Sequence, residues 1–186
     1  MARLLPSPEP AATPAGAPRR VLAIDPALRK TGWAIVETDA RGTLHALAWG
    51  VIVNKPALLP SGCLVAIREQ LCDAIRTHAP DVCAIESTIF VQSYKTAIVL
   101  GTARGAALIA AAEHGLAIYE YAPREIKQAA VGRGAAQKEQ VAFMMRSMLR
   151  LRETPPADAA DALAVAITHF QNQSAMRITD REARRV

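Results

Sequence analysis

Two short apolar runs, each followed at once by an acidic residue, constrain the fold of this chain more than any other feature. The first run spans residues 21–24 and precedes Asp25, and the second spans residues 82–85 and precedes Glu86. Bounded runs of this length are typical of strands buried inside a parallel or mixed sheet. Because sites in open α/β sheets form beyond the carboxyl ends of the strands, we expect Asp25 and Glu86 to lie together at that edge.

A second pair of acids opens an alanine-rich stretch near the end of the chain. Asp158 and Asp161 are three residues apart, which on a helix places them about 60° apart on one face. A single acid in the first turn is often only a cap, and for Asp158 alone that structural interpretation is as good as a functional one. Asp161 is harder to explain in this way because the residues around it are apolar.

The four acids together predict a metal site. Bringing four carboxylates together is costly unless a cation neutralises them, and oxygen ligands suit hard divalent cations. A pair of such cations is built for phosphoryl chemistry, in which one activates a water and the other stabilises the leaving oxygen. His169 lies two turns beyond Asp161 on the same helical face. It is therefore a candidate for a residue that orients a metal ligand.

The apolar periodicity predicts a single three-layer α/β/α domain with a five-stranded mixed sheet. The expected order is three antiparallel strands, then alternating helices and strands, then helices to the end. Residues 1–20 are rich in Pro and Ala and are expected to be a disordered tail, residues 21–170 to form the domain, and residues 171–186 to be a flexible polar tail. The expected strands lie near 20–25, 32–38, 47–53, 82–86 and 117–121, and the expected helices near 61–78, 94–113, 123–131, 137–151 and 157–170.

Composition excludes several classes of protein. A signal-peptide pattern is absent from the N-terminal residues, and we expect no apolar stretch to approach the length needed to cross a bilayer. Cys63, Cys72 and Cys83 are odd in number and lack metal-ligand spacing. They are interpreted as buried thiols of a cytoplasmic protein.

A basic segment runs from Arg124 to Arg150, where six Lys and Arg residues are accompanied by only two acids. The segment could follow a phosphate backbone or form a solvated charged face, and both interpretations remain open at this point. Lys127 and Lys138 are singled out within it because a lysine ammonium suits a phosphate or a developing negative charge near metals. An ordinary surface lysine is the alternative for each.

Seven short motifs, taken in their order and spacing, resemble the RuvC family of Holliday junction resolvases over nearly all of residues 21–170. They are Ala-Ile-Asp-Pro-Ala-Leu-Arg-Lys-Thr-Gly-Trp (23–33), Ala-Ile-Glu-Ser (84–87), Leu-Gly-Thr-Ala-Arg-Gly (100–105), Ile-Lys-Gln-Ala (126–129), Val-Gly-Arg-Gly (131–134), Lys-Glu-Gln-Val (138–141) and Ala-Asp-Ala-Ala-Asp-Ala-Leu-Ala-Val-Ala-Ile-Thr-His (157–169).

The resemblance implies an RNase H-like fold and symmetric, metal-dependent nicking of two strands of a four-way DNA junction in recombination and repair, leaving 5′-phosphate and 3′-hydroxyl ends. It implies two Mg²⁺ ions, for which Mn²⁺ can substitute, and Asp25, Glu86, Asp158 and Asp161 as their ligands. Lys127 and Lys138 become the supporting basic residues.

The same resemblance implies the partners. They are junction DNA, a second copy of the chain joined through the small-residue helix at 101–112, and a branch-migration motor. The residues expected to contact DNA are Arg29, Lys30, Phe90, Arg124, Arg133 and Arg146.

The chain departs from the family pattern at two positions. Ala27 stands where the family usually has Gly, so the turn there must avoid positive φ. Ile89 stands where the family tends to place an aromatic residue that stacks on an unpaired base, and we expect the neighbouring Phe90 to take that role, with a core phenylalanine as the alternative.

Three other functions are considered. An actin-like ATPase or sugar kinase shares the first motif but needs two lobes and a second phosphate loop. A non-cleaving junction-binding protein is disfavoured because four acids without metal would oppose DNA. Another metal-dependent nuclease of RNase H-like fold with a different nucleic-acid substrate is the nearest alternative.

Overall fold

One mixed sheet of five strands organises the chain. The computed structural model describes residues 19–87, 93–132, 138–175 and 184–186. The strands are β1 (Arg19–Asp25), β2 (Lys30–Thr38), β3 (Leu44–Val53), β4 (Val82–Glu86) and β5 (Ala117–Tyr121). Their order in the sheet is β3-β2-β1-β4-β5. The first three strands pair antiparallel, whereas β1 with β4 and β4 with β5 pair parallel.

Helices cover both faces of this sheet. They are α1 (Pro60–His78), α2 (Tyr94–Glu113), α3 (Pro123–Val131), α4 (Lys138–Met148) and α5 (Ala157–Ala175). α1 and α2 pack on one face, and α3, α4 and α5 pack on the other. The predicted three-layer α/β/α arrangement and five-stranded mixed sheet are confirmed.

Alternation along β1 decides which face the site occupies. Val21 and Ala23 point toward α3, α4 and α5, whereas Leu22 and Ile24 point toward α1 and α2, and all four are buried. Side chains alternate between the two faces of a strand, so Asp25 continues the first set. The end of β1 therefore presents its carboxylate to the layer that contains α5.

Small side chains bring α5 close to the sheet. Five of its alanines, at positions 159, 160, 162, 164 and 166, are fully buried. Larger side chains at these positions would hold the helix farther away. The Ala-rich sequence thus lets the acids of the first two turns of α5 approach the ends of the strands.

The apolar spacing at Leu64, Ile67, Leu71 and Ile75 predicts a buried stripe on α1, and three of these four side chains are buried. Ile67, Leu71 and Ile75 are buried. The helix ends at His78 because Ala79 adopts a left-handed conformation with φ of 45°, and its amide donates to the carbonyl of Ile75. The three cysteines are free and buried, in agreement with the sequence interpretation.

The apolar spacing of α4 predicts that Met145, Met148 and Leu149 are all buried, and this prediction is wrong for one of them. Met145 and Leu149 are buried, but Met148 is 38% exposed. The helix ends at Met148 because Arg150 has φ of 52°, and the amide of Leu151 closes the turn on the carbonyl of Arg146. Met148 lies on the outer side of this last turn.

The C-terminal boundary also differs from the expectation. α5 continues to Ala175, five residues beyond Phe170. Gln173 is held there because it bonds His169 and accepts a hydrogen bond from Arg19. Residues 184–186 lie beside β5, where the amide of Glu120 donates to a backbone carbonyl at position 184. These polar residues make non-local contacts that periodicity does not reveal.

The expectation that no apolar stretch approaches the length needed to cross a bilayer is wrong for α2. α2 is long and apolar enough to cross a membrane by length and composition, a test that core helices also pass. It is tied to the domain, because Arg104 forms an ion pair of 3.1 Å with Glu120 of β5 and Ala103 and Ala107 are buried against the sheet. Ala106, Ala110 and Ala111 are buried as well, whereas Tyr94, Ile98 and Ile109 are more than half exposed.

Candidate active site

Asp25 and Glu86 lie side by side at the carboxyl ends of two neighbouring parallel strands. Ile24 is paired with Ile85 in the register of β1 and β4, so the acids that follow occupy adjacent positions. Their carboxyl groups are hydrogen-bonded to each other. The sequence pattern of two apolar runs ending in acids therefore predicts this pairing correctly.

The two acids open into a cleft of about 210 Å³ between the sheet and the helices of the α5 layer. Asp161, in the second turn of α5, and Lys127, in the middle of α3, also line it. Charged groups occupy one part of the wall and apolar groups the rest. The apolar lining residues are Pro123, Ile126 and Val141.

Negative charge is concentrated in this cleft. Burial is the main cause that raises the pKa of Glu86 to about 8 from its ordinary 4.5, followed by the charge of Asp25 and the hydrogen bond to it. The charge of Asp161 raises this pKa further, whereas the ammonium of Lys127 lowers it. The folded protein thus favours a proton on Glu86 at neutral pH, because an additional negative charge there is unfavourable.

Asp158 occupies a neighbouring position, one turn before Asp161, and is partly buried. Its backbone carbonyl packs against Gly32 of β2, and Gly32 is the residue paired with Asp25. Asp158 does not contribute to the lining of the cleft itself. The structure therefore brings three of the four predicted acids into one cleft and places the fourth on the helix turn beside it.

The donor set fits divalent cations by its chemistry. All four candidate ligands are carboxylates, and oxygen donors are what Mg²⁺ and Mn²⁺ take in proteins. As placed, no three His, Cys, Asp or Glu side chains of the described ranges surround a single point. The hydrogen bond between Asp25 and Glu86 turns their carboxyl groups toward each other, and a ligating carboxylate must give up such a proton when a cation binds.

The residues predicted to contact DNA are distributed over several elements. The Arg29 guanidinium donates to the backbone carbonyls of Lys55 and Leu58, so it fastens the connection between β3 and α1. Lys30, Arg124 and Arg146 are exposed. The side chain of Lys138, together with Phe90 and Arg133, lies outside the described residues, and all these roles remain predictions.

The turn that follows Asp25 avoids positive φ at Ala27, as expected from the sequence. Thr31 holds this turn, because its hydroxyl donates to the carbonyl of Ala27 at 2.6 Å. The hydroxyl also accepts a longer bond of 3.3 Å from the amide of Ala27. An alanine is therefore accommodated without the conformational freedom of glycine.

His169 does not belong to the site. It is buried in the core, where Nδ1 lies 2.8 Å from the hydroxyl of Tyr121 and Nε2 lies 2.7 Å from the side-chain amide of Gln173. Its position two turns along α5 takes it toward the interior of the layer and away from the strand ends. The suggestion that it orients a metal ligand is wrong.

Two features of the site were missed from the sequence. One is the contact between Gly32 and the start of α5. The sequence does carry a signal for it, because a glycine in the interior of a strand often marks the close approach of another backbone. The other is the support of α3: Arg184 donates to both carboxylate oxygens of Glu125 at 2.8 Å, and Asn172 donates to one of them at 2.7 Å. These partners are more than forty residues apart in the chain, so no local pattern indicates them.

Comparisons with known proteins agree with this geometry. The family model described as "Crossover junction endodeoxyribonuclease RuvC" matches residues 21–169. A relative with that name from Akkermansia muciniphila is 54% identical over 151 residues, which cover 81% of this chain and 90% of the relative. One from Bradyrhizobium diazoefficiens is 40% identical, covering 87% and 92%. The solved structure of T. thermophilus RuvC in complex with a Holliday junction substrate matches with a TM-score of 0.77 and 33% identity, covering 84% and 96%.

Proposed function

Because this chain belongs to the RuvC family of crossover junction endodeoxyribonucleases, we propose that it is a metal-dependent endonuclease that resolves four-way DNA junctions in recombination and repair. The observation that carries this proposal is the meeting of Asp25, Glu86 and Asp161 in one cleft. Its fold is RNase H-like, in keeping with the solved relative bound to a Holliday junction substrate. The products would be strands with 5′-phosphate and 3′-hydroxyl ends.

Asp25, Glu86, Asp158 and Asp161 would hold the divalent cations, two Mg²⁺ ions in this proposal, with Mn²⁺ as a substitute. The raised pKa of Glu86 supports this assignment, because burial beside Asp25 and Asp161 makes an additional negative charge on Glu86 unfavourable until a cation balances it. When bound, such cations polarise the scissile phosphate and lower the pKa of an attacking water.

The protein's own residues would hold and orient the substrate. Lys127 places an ammonium in the same cleft as the acids, where it can attract a phosphate oxygen and stabilise developing negative charge. Lys138 begins α4, which also contributes Val141 to the cleft wall. The apolar groups of the wall lower the local dielectric constant, which strengthens the electrostatic interactions beside them.

Several cations, three of them exposed on α3, β2 and α4, are proposed to contact the DNA backbone. Arg124 is exposed in the first turn of α3, the helix that carries Lys127. Lys30 is exposed at the start of β2, close to the strand ends, and Arg146 is exposed on α4. Arg133 and Phe90 complete the proposed set, with Phe90 stacking on an unpaired base. Neutralised phosphates make such binding depend strongly on salt.

A homodimer is proposed because two strands of a junction must be cut. Support comes from α2, where Tyr94, Ile98 and Ile109 are 72%, 60% and 52% exposed although the helix is apolar. Gly101 and Gly105 have open space above them, so a second helix could approach closely. An apolar surface of this kind with small residues at its centre fits a second copy of the same helix.

Two further expectations remain proposals from the family resemblance. The enzyme would act in the cytoplasm, and a branch-migration motor would be its partner. A pull-down of the motor with junction DNA present, compared with junction DNA alone, would test the second of them.

The deciding experiment is cleavage of a synthetic four-way junction with the cut positions mapped on all four strands. We expect symmetric nicks in two strands that require Mg²⁺ or Mn²⁺, and no nicks with EDTA. Asp25→Asn should bind the junction but not cut it, because the variant lacks one carboxylate of the cleft. Equal cleavage by this variant and the wild type would contradict the role of Asp25.

The same assay separates the alternatives. Preferential cutting of an RNA–DNA hybrid would indicate another nuclease of this fold with a different substrate. Tight junction binding without nicks in either cation would indicate a binding protein. ATP turnover without junction cleavage would favour an ATPase.

A further inference from the structure

The backbone conformation of β2 does not explain why a glycine stands in its interior. Gly32 lies between Thr31 and Trp33 in a strand of nine residues, where a glycine ordinarily weakens the sheet. Its φ is outside the left-handed region, so an alanine could adopt the same backbone conformation. The requirement for glycine must therefore come from what lies above the strand.

The start of α5 lies directly on this glycine. A Cβ atom at position 32 would be 1.9 Å from the carbonyl oxygen of Asp158, 2.6 Å from its carbonyl carbon and 3.4 Å from the amide nitrogen of Ala159. All three are backbone atoms, so rotation of a side chain cannot relieve the overlap. A methyl group here would move the first turn of α5 away from the sheet.

This contact lies at the level of the acidic cleft. Gly32 is the antiparallel partner of Asp25, and Asp161 follows Asp158 by one turn. We propose that Gly32 is a positioning residue that sets the separation between Asp25 on the strand and the two acids of α5. The inference rests on the proposed function, because it concerns the cations that these acids would hold.

A purely structural role for Gly32 predicts something different. If the contact only packs the helix, an alanine at position 32 lowers stability and leaves metal affinity intact in the folded fraction. If the contact sets the separation of the acids, metal affinity falls in protein that is still folded. DNA binding without metal is held mainly by phosphate contacts and should change in neither case.

The test compares Gly32→Ala with Gly50→Ala in the full chain. Gly50 is a glycine of β3, and a Cβ there would be 3.1 Å from Nε1 of Trp33, a side-chain atom that can give way. Mn²⁺ affinity without DNA is measured by electron paramagnetic resonance, thermal unfolding is measured in EDTA, and junction binding in EDTA is measured by fluorescence anisotropy.

We expect Gly32→Ala to bind Mn²⁺ roughly tenfold or more weakly than the wild type, as when groups that orient metal ligands are altered. Gly50→Ala should bind Mn²⁺ like the wild type, and both variants should bind the junction in EDTA like the wild type. Wild-type Mn²⁺ affinity in folded Gly32→Ala would overturn the inference, as would an equal loss in Gly50→Ala.

If Gly32→Ala does not fold in dilute buffer, the variant and the wild type are both titrated with Mn²⁺ in sucrose, which favours the folded state by exclusion from the protein surface. Weaker Mn²⁺ binding by the refolded variant than by the wild type in the same buffer supports the inference. Equal Mn²⁺ affinity of the two folded proteins would overturn it. Wild-type cleavage is assayed separately, so a chain that binds Mn²⁺ as expected but cuts no junction contradicts the proposed function alone.

Discussion

Asp25 and Glu86 share a hydrogen bond between carboxyl groups at the ends of two adjacent parallel strands. Burial, the charge of Asp25 and this bond together raise the pKa of Glu86 to about 8. A proton held between two carboxyl groups titrates as a property of the pair. Since ligating carboxylates are deprotonated, binding of a cation in the cleft and release of this proton are expected to be coupled.

The metal-free protein should lose stability as pH rises toward about 8. The pKa of Glu86 is higher in the folded protein than its ordinary value of 4.5, so the favourable contribution of its protonated form is complete below that value and is lost as pH rises through about 8. Glu86→Gln stays neutral. We expect this variant to be more stable than the wild type in EDTA at about pH 9, with the difference vanishing near pH 5. Thermal unfolding in EDTA across this range measures it.

Glu69→Gln is the matched control, because Glu69 is exposed on α1. It should follow the wild type at every pH. A stabilisation by Glu86→Gln that does not change with pH would show that the effect is unrelated to titration of Glu86.

The sequence predicted the strand-end acids well because their signals are local. A bounded apolar run ending in an acid identifies both a buried strand and the residue at its carboxyl end, as for Asp25 and Glu86. The three-residue spacing of Asp158 and Asp161 likewise fixed their relation on a helix. The expected directions of the strands then followed from the usual rules of α/β sheets.

Other features depended on contacts between distant parts of the chain and could not be predicted. The closeness of α5 to Gly32 is set by the packing of a helix on a sheet. His169 shares a helical face with Asp161 in projection, but its hydrogen bond to Tyr121 places it in the core. The C-terminal residues around Arg184 look like a flexible polar tail until their pairing with β5 is seen.

Asp161→Asn should abolish cleavage and leave junction binding intact. Asp161 lines the cleft and contributes to the raised pKa of Glu86, so it is a candidate ligand. A bound cation stabilises the transition state of cleavage by several kcal/mol. Losing that stabilisation lowers the cleavage rate by at least about a hundredfold. Single-turnover cleavage of a labelled junction measures this rate. Asp73→Asn, at an exposed acid of α1, should cleave normally, and a similar loss there would show that the effect is unspecific.

Lys127→Met should raise the pKa of Glu86. The ammonium of Lys127 lowers the pKa of Glu86, so its removal leaves the neighbouring negative charges unopposed and the midpoint should rise above about 8. The titration can be followed in EDTA by ¹³C NMR of the glutamate carboxyl carbons. Lys55→Met, which changes an exposed lysine remote from the lining of the cleft, should leave the midpoint unchanged. A lower midpoint in Lys127→Met would contradict the arrangement of charges.

Arg184→Ala should loosen the helix that carries Lys127. Arg184 binds the carboxylate of Glu125 through both oxygens and lies 5.3 Å above the ring of Tyr121. We expect a loss of about 1 kcal/mol of stability and faster hydrogen exchange in α3. Arg185→Ala changes the exposed neighbour and should preserve exchange in α3. Equal exchange in the two variants would show that the ion pair does not hold this helix.

Ile98→Asp or Ile109→Asp should convert the proposed homodimer to a monomer. Both side chains are more than half exposed on the apolar face of α2, and a buried unpaired carboxylate at an interface is strongly unfavourable. Val65→Asp is the control, because Val65 is 54% exposed on α1, a helix to which no interface is assigned. Sedimentation equilibrium gives the mass of each variant. A monomeric variant should also lose the paired cuts of a junction, since the proposed paired cuts use the acidic clefts of two copies. A dimer that persists in both α2 variants, or dissociates equally in Val65→Asp, would place the interface elsewhere.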